Sequence, residues 1–158
     1  MMNNPLPLSA SVEVAAAPEQ VWELVSDVSR MGEWSPECRR IVVLGTPKRG
    51  LGTKFLGFNR RGWAMWPTTS TVVRFEPGEA IAWKTRESGA TWTYELEPTA
   101  TGTRLTGRRE LPAYTVGTKV MAPLIGGAQG HDQELADGIR TTLERIKASV
   151  ESARATAV

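Results

Sequence analysis

The sequence predicts an α+β fold in which a curved antiparallel sheet of about seven strands wraps around a long C-terminal helix. Three observations predict this architecture. One strand pattern precedes a helical segment, short β-rich runs separated by tight turns follow, and the chain ends in a long amphipathic segment. With 158 residues the chain is long enough for one substantial core, so we expect residues 1–158 to form a single domain.

The N-terminal segment predicts one strand followed by two short helices. Residues 9–15 alternate apolar and polar side chains, which is typical of a half-buried strand. Pro18 suits the first position of a helix, and apolar residues then recur at helical spacing. These residues are Val21, Leu24, Val25 and Val28. Asp27 and Gly32 interrupt the pattern, so we expect two short helices whose apolar face meets the sheet.

The middle of the chain predicts a meander of six strands between residues 37 and 111. Turn signals separate the runs at residues 45–52, 61–62, 77–78, 88–89 and 98–102. Connections this short require antiparallel pairing of successive strands, because parallel strands need crossovers of a dozen residues or more. Alternation puts Trp92, Tyr94 and Arg109 on the inward face. In the strands around Phe55 and Val72 both faces are half apolar, so the pattern does not predict which face points inward.

The last element is a predicted helix over residues 131–153. Its apolar positions follow helical spacing at Leu135, Ile139, Leu143, Ile146 and Val150. Asp132 and Glu134 in its first turn complement the helix dipole. A helix of this length reaches about 35 Å, which is enough to cross a whole sheet.

Composition excludes several classes of function. The formal net charge of +2 is too small to argue for a polyanionic partner, so we expect no nucleic acid. No apolar run approaches the roughly 20 residues that span a bilayer, and no signal peptide is visible, so we expect a cytoplasmic protein without stable membrane insertion. Cys38 and His131 are the only cysteine and histidine, so we expect no metal, and no glycine pattern indicates another cofactor.

Charge is nevertheless distributed unevenly. The segment 39–74 contains no acidic residue and eight basic ones: Arg39, Arg40, Lys48, Arg49, Lys54, Arg60, Arg61 and Arg74. One interpretation is that these side chains lie on the solvent face and in the turns of two or three strands. The alternative is that they contact an anionic ligand group or a nucleic-acid backbone.

Six segments spread over most of the chain form a recognisable set of motifs. They are EWSPECRR at 33–40, GTKFLGFNRRG at 52–62, FEPGEAIAW at 75–83, WTYELEP at 92–98, GTRLT at 102–106 and TTLERIK at 141–147. With the order of elements, they resemble the START-related helix-grip (SRPBCC) superfamily, and within it a bacterial branch of the polyketide cyclase/dehydrase and lipid transport-like family. The resemblance implies a helix-grip fold with a cavity between the concave sheet face and the long helix.

Aromatic side chains are candidate ligand contacts in such a cavity. Six tryptophans is a high count for this length, and their flat surfaces suit ring-shaped or lipid-like ligands. The candidates are Trp34, Trp63, Trp66, Trp83 and Trp92, together with Tyr94 and Leu135. Packing in the core is the alternative role for each tryptophan.

The polar candidates are fewer. Arg60 and Arg61 lie at a predicted strand end or turn and could hold a carboxylate or phosphate together, while Asn59 binds ligand or makes only a turn hydrogen bond. Arg109 on the inward face needs an acidic partner or an anionic ligand group. His131, one helical turn before the apolar stripe, is either a proton-transfer group or a helix-end residue bonded to a loop.

Three functions follow from these candidates. The first is a carrier or sensor, monomeric or homodimeric, that binds a small hydrophobic lipid or polyketide-like molecule. The second is a polyketide cyclase or dehydratase in which Arg109 stabilises an enolate, His131 moves the proton and Tyr94 assists. The third is an interaction module that uses its basic strands. Cys38 beside His131 would form a nucleophile pair, but a buried inert cysteine is the favoured interpretation.

Overall fold

The structure is a computed structural model that describes residues 7–111 and 128–156. Within them the strands are β1 (Leu8–Val14), β2 (Cys38–Leu44), β3 (Lys54–Arg61), β4 (Ala64–Glu76), β5 (Ala80–Thr85), β6 (Thr91–Thr99) and β7 (Gly102–Glu110). The helices are α1 (Pro18–Val25), a 3₁₀ helix (Val28–Glu33) and α2 (Ala128–Thr156). The predicted α+β element order is confirmed, and α2 begins three residues earlier than the pattern indicated.

The strands form one sheet in the order β1-β7-β6-β5-β4-β3-β2, and each neighbouring pair is antiparallel. Strands β2 to β7 are a meander, as the short turns predicted. The first strand pairs with the last, so β1 and β2 are the two edges. With α2 lying across the sheet, the helix-grip fold is confirmed.

The two short helices connect the edge strands β1 and β2. Pro18 is the first residue of α1, and Val21 and Val25 are buried on its inner face. The backbone turns at Asp27, whose carboxylate accepts a hydrogen bond from the Ser29 N–H at 3.1 Å and so begins the 3₁₀ helix. The predicted interruption at Asp27 is confirmed.

The core includes the contact of α2 with the neighbouring strands β1 and β7. Leu143 and Ile146 of the helix are fully buried, as is Leu105 of the sheet. Gly107 allows the close approach, because a Cβ at this position would lie 3.1 Å from the Ile139 Cγ2. The helix therefore rests directly on the backbone of β7 at this point and diverges from the sheet on one side of it.

Candidate ligand cavity

A cavity of about 700 Å³ lies between the sheet and the N-terminal half of α2. All of its strand residues come from one end of the sheet, and the helix contributes Glu134, Leu135, Gly138, Ile139 and Thr142. The segment before β2 closes one side with Ser35 and Pro36. The cavity thus occupies the region where α2 has separated from the sheet beyond Gly107.

Aromatic side chains form one wall. Trp83 and Trp92 are register partners on β5 and β6, and both line the cavity. The Trp83 ring meets the ring of Tyr94 edge to face with centroids 5.4 Å apart, and it meets Phe55 in the same manner at 6.3 Å. Edge-to-face pairs fix the orientation of the rings, so this wall is a preformed apolar surface.

Small polar side chains line the part of the cavity next to these rings, on β3, β4 and β5. The Asn59 Nδ2 donates to the Thr68 Oγ1 at 3.1 Å and to the Trp66 carbonyl at 3.3 Å. The hydroxyl groups of Ser70 and Thr85 are 2.9 Å apart. Gly57 leaves room for this cluster, because a Cβ there would lie 2.8 Å from the Thr68 oxygen. The wall therefore presents hydroxyl and amide groups that are held in place by their neighbours.

Arg109 lies on the wall of the cavity beside the aromatic residues. It is register partner to Trp92, and only 4% of its surface is exposed. Its inward orientation agrees with the alternation in the sequence. A guanidinium group at this depth is desolvated, which strengthens any hydrogen bond that it donates to a carbonyl, enolate or carboxylate oxygen.

Tyr94 lies one strand away from Arg109 and lines the same cavity. Burial is the main cause that raises the pKa of its phenol above the ordinary value, and the neighbouring Cys38 adds to the effect. The phenol therefore keeps its proton at neutral pH. Tyr94 can donate a hydrogen bond to a ligand oxygen, but it is a poor base.

An ion pair crosses the mouth of the cavity. Arg61 at the end of β3 donates two hydrogen bonds to the Glu134 carboxylate on α2, and this bonding raises the pKa of the guanidinium. The Arg60 Nε donates instead to the Gly62 carbonyl at 2.8 Å. The two arginines have separate protein partners in this structure, which differs from the predicted pair around one anion. Their actual arrangement joins sheet to helix at the mouth.

Cys38 lies in the cavity wall at the start of β2. Its side chain is buried, and desolvation raises the pKa of the thiol to about 11. The protonated thiol is a weak nucleophile at neutral pH, as expected of a buried inert cysteine. His131 belongs to α2, but its side chain lies outside the described residues, and so the predicted Cys38–His131 pair and the role of His131 stay predictions.

Two tryptophans do not lie where ligand contacts were predicted. Trp34 is 3% exposed and absent from the cavity lining, because the end of the 3₁₀ helix turns its ring into the core, with the Arg30 guanidinium 5.1 Å from its centroid. Trp63 is 78% exposed in the turn between β3 and β4. The other predicted contacts among the described side chains all line the cavity: Asn59, Arg61, Trp66, Trp83, Trp92, Tyr94, Arg109 and Leu135.

Sequence reasoning missed the hydroxyl-bearing part of the lining. Thr68 and Ser70 follow Trp66 with a period of two, which places all three on one face of β4. That alternation was visible in the sequence and could have identified them. The Thr142 hydroxyl on α2 donates a hydrogen bond to the Gly138 carbonyl at 2.7 Å. No pattern in the sequence indicated that Thr142 lines the cavity.

Two further properties concern the described residues only. No helix among them is both long enough and apolar enough to cross a membrane. Within the same ranges, 7–111 and 128–156, no three side chains of the histidine, cysteine, aspartate and glutamate types converge in a way that would hold a metal ion.

Comparison with known proteins identifies the family. Residues 6–151 match the family model described as polyketide cyclase / dehydrase and lipid transport. The chain belongs to this family. No match was found among curated protein sequences.

Several solved structures share the fold. The polyketide-cyclase-like protein Cgl2372 from Corynebacterium glutamicum is 29% identical with a TM-score of 0.62, over 92% of this chain and 91% of that chain. The aromatase/cyclase ZhuI from Streptomyces sp. R1128 is 16% identical with a TM-score of 0.70, over 92% and 93%. The di-domain aromatase/cyclase StfQ of the steffimycin biosynthetic pathway is 18% identical with a TM-score of 0.75, over 94% of this chain, which spans 51% of that protein.

Proposed function

We propose that the protein binds a small, largely apolar molecule of the polyketide or lipid class between the sheet and α2. The observation that carries the proposal is the cavity of about 700 Å³ with its aromatic wall. This volume lies within the range of about 300–1,000 Å³ that is usual for sites of drug-sized ligands. Membership of a family that includes polyketide cyclases and lipid-transport proteins supports the same class of ligand.

The two walls suggest how the ligand is oriented. Trp83, Trp92 and Tyr94 offer ring faces and edges to an apolar or aromatic body. Arg109 offers a desolvated cation to an oxygen substituent, and the hydroxyl groups of Thr68 and Ser70 on β4 offer weaker partners. A planar molecule with carbonyl or hydroxyl groups on its edges can contact the aromatic rings and these polar side chains together.

The proposal is tested by native mass spectrometry of the purified protein, followed by denaturing extraction of whatever is bound. The matched variant is Thr142→Phe, which projects a ring into the void and removes a hydroxyl that bonds only its own helix backbone. Thr141→Phe on the adjacent, non-lining position is the control. We expect a discrete bound mass in the wild type and the control but not in Thr142→Phe. A mass that persists in Thr142→Phe contradicts the assignment of the cavity as the site.

A second candidate function is ring closure or dehydration of a polyketide-like chain. The observation in its favour is that Arg109 and Tyr94 line one cavity from adjacent strands. A developing enolate oxygen would accept hydrogen bonds from the guanidinium and from the neutral phenol, which is the preorganised stabilisation that speeds such reactions. His131 remains the predicted proton carrier.

The enzyme is distinguished from the carrier by turnover. A poly-β-ketone thioester is incubated with the protein, and the absorbance of aromatic products is followed. For an enzyme we expect Arg109→Gln and Tyr94→Phe each to lower the rate by about 10²- to 10³-fold, the usual cost of losing one oxyanion donor. The binding of a non-reactive aromatic ketone should change far less. Absence of turnover above the uncatalysed rate in the wild type favours the carrier.

A further inference from the structure

The hairpin between β3 and β4 exposes large apolar side chains at its tip. Trp63 is 78% exposed, Met65 is 71% exposed and Phe58 is 42% exposed. The turn passes through Gly62 with a φ of +60°, a conformation that lets the hairpin close tightly and project Trp63 outward. Neighbouring exposed side chains of this size indicate a surface that contacts something other than water.

Strand register places Phe58 and Met65 on one face together with two arginines, and Trp63 lies in the turn beside them. Arg60 pairs with Met65, and Arg40 of β2 pairs with Phe58. Directly paired residues on antiparallel strands share a face of the sheet, so Arg40 and Arg60 flank the apolar side chains on the face opposite to Asn59 and Arg61. We call Arg40, Phe58, Arg60, Trp63 and Met65 the hairpin patch.

Charge around the hairpin patch is positive. It lies within the segment 39–74, which has eight basic residues and no acidic one. Arg49 and Arg74 of that segment pair with Glu23 and Glu76. Arg40 is exposed, as is Arg60, and neither forms an ion pair with an acidic side chain of residues 7–111 or 128–156.

We propose that the hairpin patch docks the protein on an anionic lipid membrane surface. Tryptophan prefers the interface between water and acyl chains, where its ring is buried and its N–H remains hydrated. Arginine stems cover apolar surface while their guanidinium groups reach lipid phosphates. A projecting apolar tip flanked by cations has the chemistry of a peripheral membrane anchor that does not span the bilayer.

A membrane fits this patch better than a nucleic acid. Three apolar side chains outnumber the two arginines, whereas nucleic-acid binding draws its affinity mainly from many contacts between cations and phosphates. The position of the hairpin also suits a membrane, because Arg61 and Trp66 on the opposite face of the same hairpin line the cavity. Docking by this hairpin would bring the mouth of the cavity to the bilayer.

Co-sedimentation with lipid vesicles tests the proposal on the full chain. One set of vesicles contains phosphatidylcholine alone, and the other contains equal parts of phosphatidylcholine and phosphatidylglycerol. We expect binding to the anionic vesicles at low salt that weakens as salt is raised. Trp63→Ser should weaken the binding about tenfold or more, since it removes the largest apolar side chain that would enter the membrane. Arg40→Gln should weaken it about fivefold, the contribution of one cation at an anionic surface.

Matched controls keep the interpretation specific. Leu51→Ser removes a 65% exposed apolar side chain from the turn at the opposite end of β3, and Arg140→Gln removes an exposed cation from α2. Neither should change vesicle binding. Because these positions are exposed, circular dichroism should be the same for each variant. Thr142→Phe should bind vesicles like the wild type, so failure of membrane docking and failure of cavity binding are separate results.

Three outcomes would overturn the proposal. The first is no sedimentation with anionic vesicles. The second is binding that is unchanged in Trp63→Ser and Arg40→Gln. The third is that Trp63→Ser leaves vesicle binding intact but abolishes a dimer in sedimentation velocity, or abolishes salt-dependent binding to duplex DNA, which would assign the hairpin patch to a second copy of the chain or to nucleic acid.

Discussion

The two ends of the sheet differ in how the same helix covers them. At one end Leu143, Ile146 and Val150 of α2 are buried directly against the sheet, with Leu96 and Leu105 below them. At the other end Leu135 and Thr142 face a cavity of about 700 Å³. We call them the closed end and the open end. Both are built from the same alternating strands, so the distance between helix and sheet, rather than the hydrophobic pattern, separates core from cavity.

Gly107 marks the boundary between the two ends. Its missing side chain lets Ile139 and Leu143 of α2 reach the backbone of β7. Beyond it the sheet carries larger inward side chains, Trp92 and Arg109, which the helix does not cover. We therefore expect side chains at the closed end to determine stability and side chains at the open end to determine ligand binding.

The largest expected effect contrasts matched truncations of two leucines on α2. Leu143→Ala at the closed end should lower the free energy of unfolding by about 2–5 kcal/mol, because a fully buried side chain leaves a cavity behind. Leu135→Ala at the open end should cost about 1 kcal/mol or less, because the residue already borders a void. Denaturant unfolding of both variants measures the difference. Equal losses would mean that the open end is packed as tightly as the closed end.

The next prediction tests whether water is excluded from the Cys38 thiol at the open end. An unfolded thiol loses its proton near its ordinary pKa of 9.0, whereas the folded thiol keeps it up to a pKa of about 11. The unfolded state therefore gains stability as pH rises through this window, and the wild type should lose about 2 kcal/mol more than Cys38→Ala between these pH values. Unfolding curves across the window provide the measurement. An equal loss of unfolding free energy with pH in the two proteins would mean that water reaches the thiol.

Two glycines, one at the boundary and one at the open end, should give smaller effects of opposite sign when replaced by alanine. Gly107→Ala introduces a Cβ at 3.1 Å from Ile139 and 3.3 Å from Leu143, so it should destabilise by about 1–3 kcal/mol as α2 is pushed away. Gly138→Ala in α2 meets only the Pro36 Cγ at 3.5 Å, and it should stabilise by up to about 1 kcal/mol through helix propensity. Thermal and denaturant unfolding measure both. A neutral Gly107→Ala would show that the helix does not rest on β7.

The smallest effect on stability concerns the ion pair at the mouth. Glu134→Gln should change the free energy of unfolding by less than about 1 kcal/mol, because Arg61 and Glu134 are both partly exposed to solvent. If the pair restrains the mouth, the exchange rate of a bound ligand should rise in Glu134→Gln without a comparable loss of stability. Arg30→Gln, which removes the exposed pair with Glu33 on the 3₁₀ helix, is the control. Equal exchange rates of the ligand in the two variants would mean that the ion pair between Arg61 and Glu134 does not control ligand exchange.

Much of the fold followed from local patterns in the sequence. The tight turns at residues 77–78 and 88–89 allow only antiparallel neighbours, and helical spacing from Leu135 to Val150 identified the face of α2 that meets the sheet. Alternation in β6 and β7 correctly placed Trp92, Tyr94 and Arg109 inward. Patterns of this kind are readable because each depends on residues only a few positions apart.

Irregularities in two strands limited the prediction of inward faces from alternation. Strand β4 has a register shift between Val72 and Arg74, and β2 has one between Cys38 and Arg40. An extra residue reverses which positions face inward, so a period of two fails across it. This is why the faces around Val72 could not be assigned. The burial of Trp34 in the core was hard to predict for a related reason, since the direction of its side chain depends on the turn that ends the 3₁₀ helix.

The sequence by itself determined the order of the elements, the pairing of successive strands and the inward side chains of the regular ones, because local spacing decides each of these. Only the tertiary structure decided which inward side chains meet a partner and which border a cavity. That outcome depends on where α2 touches β7 at Gly107 and on contacts between distant parts of the chain, such as Arg61 with Glu134, 73 residues apart. No local pattern encodes the distance between a helix and a sheet.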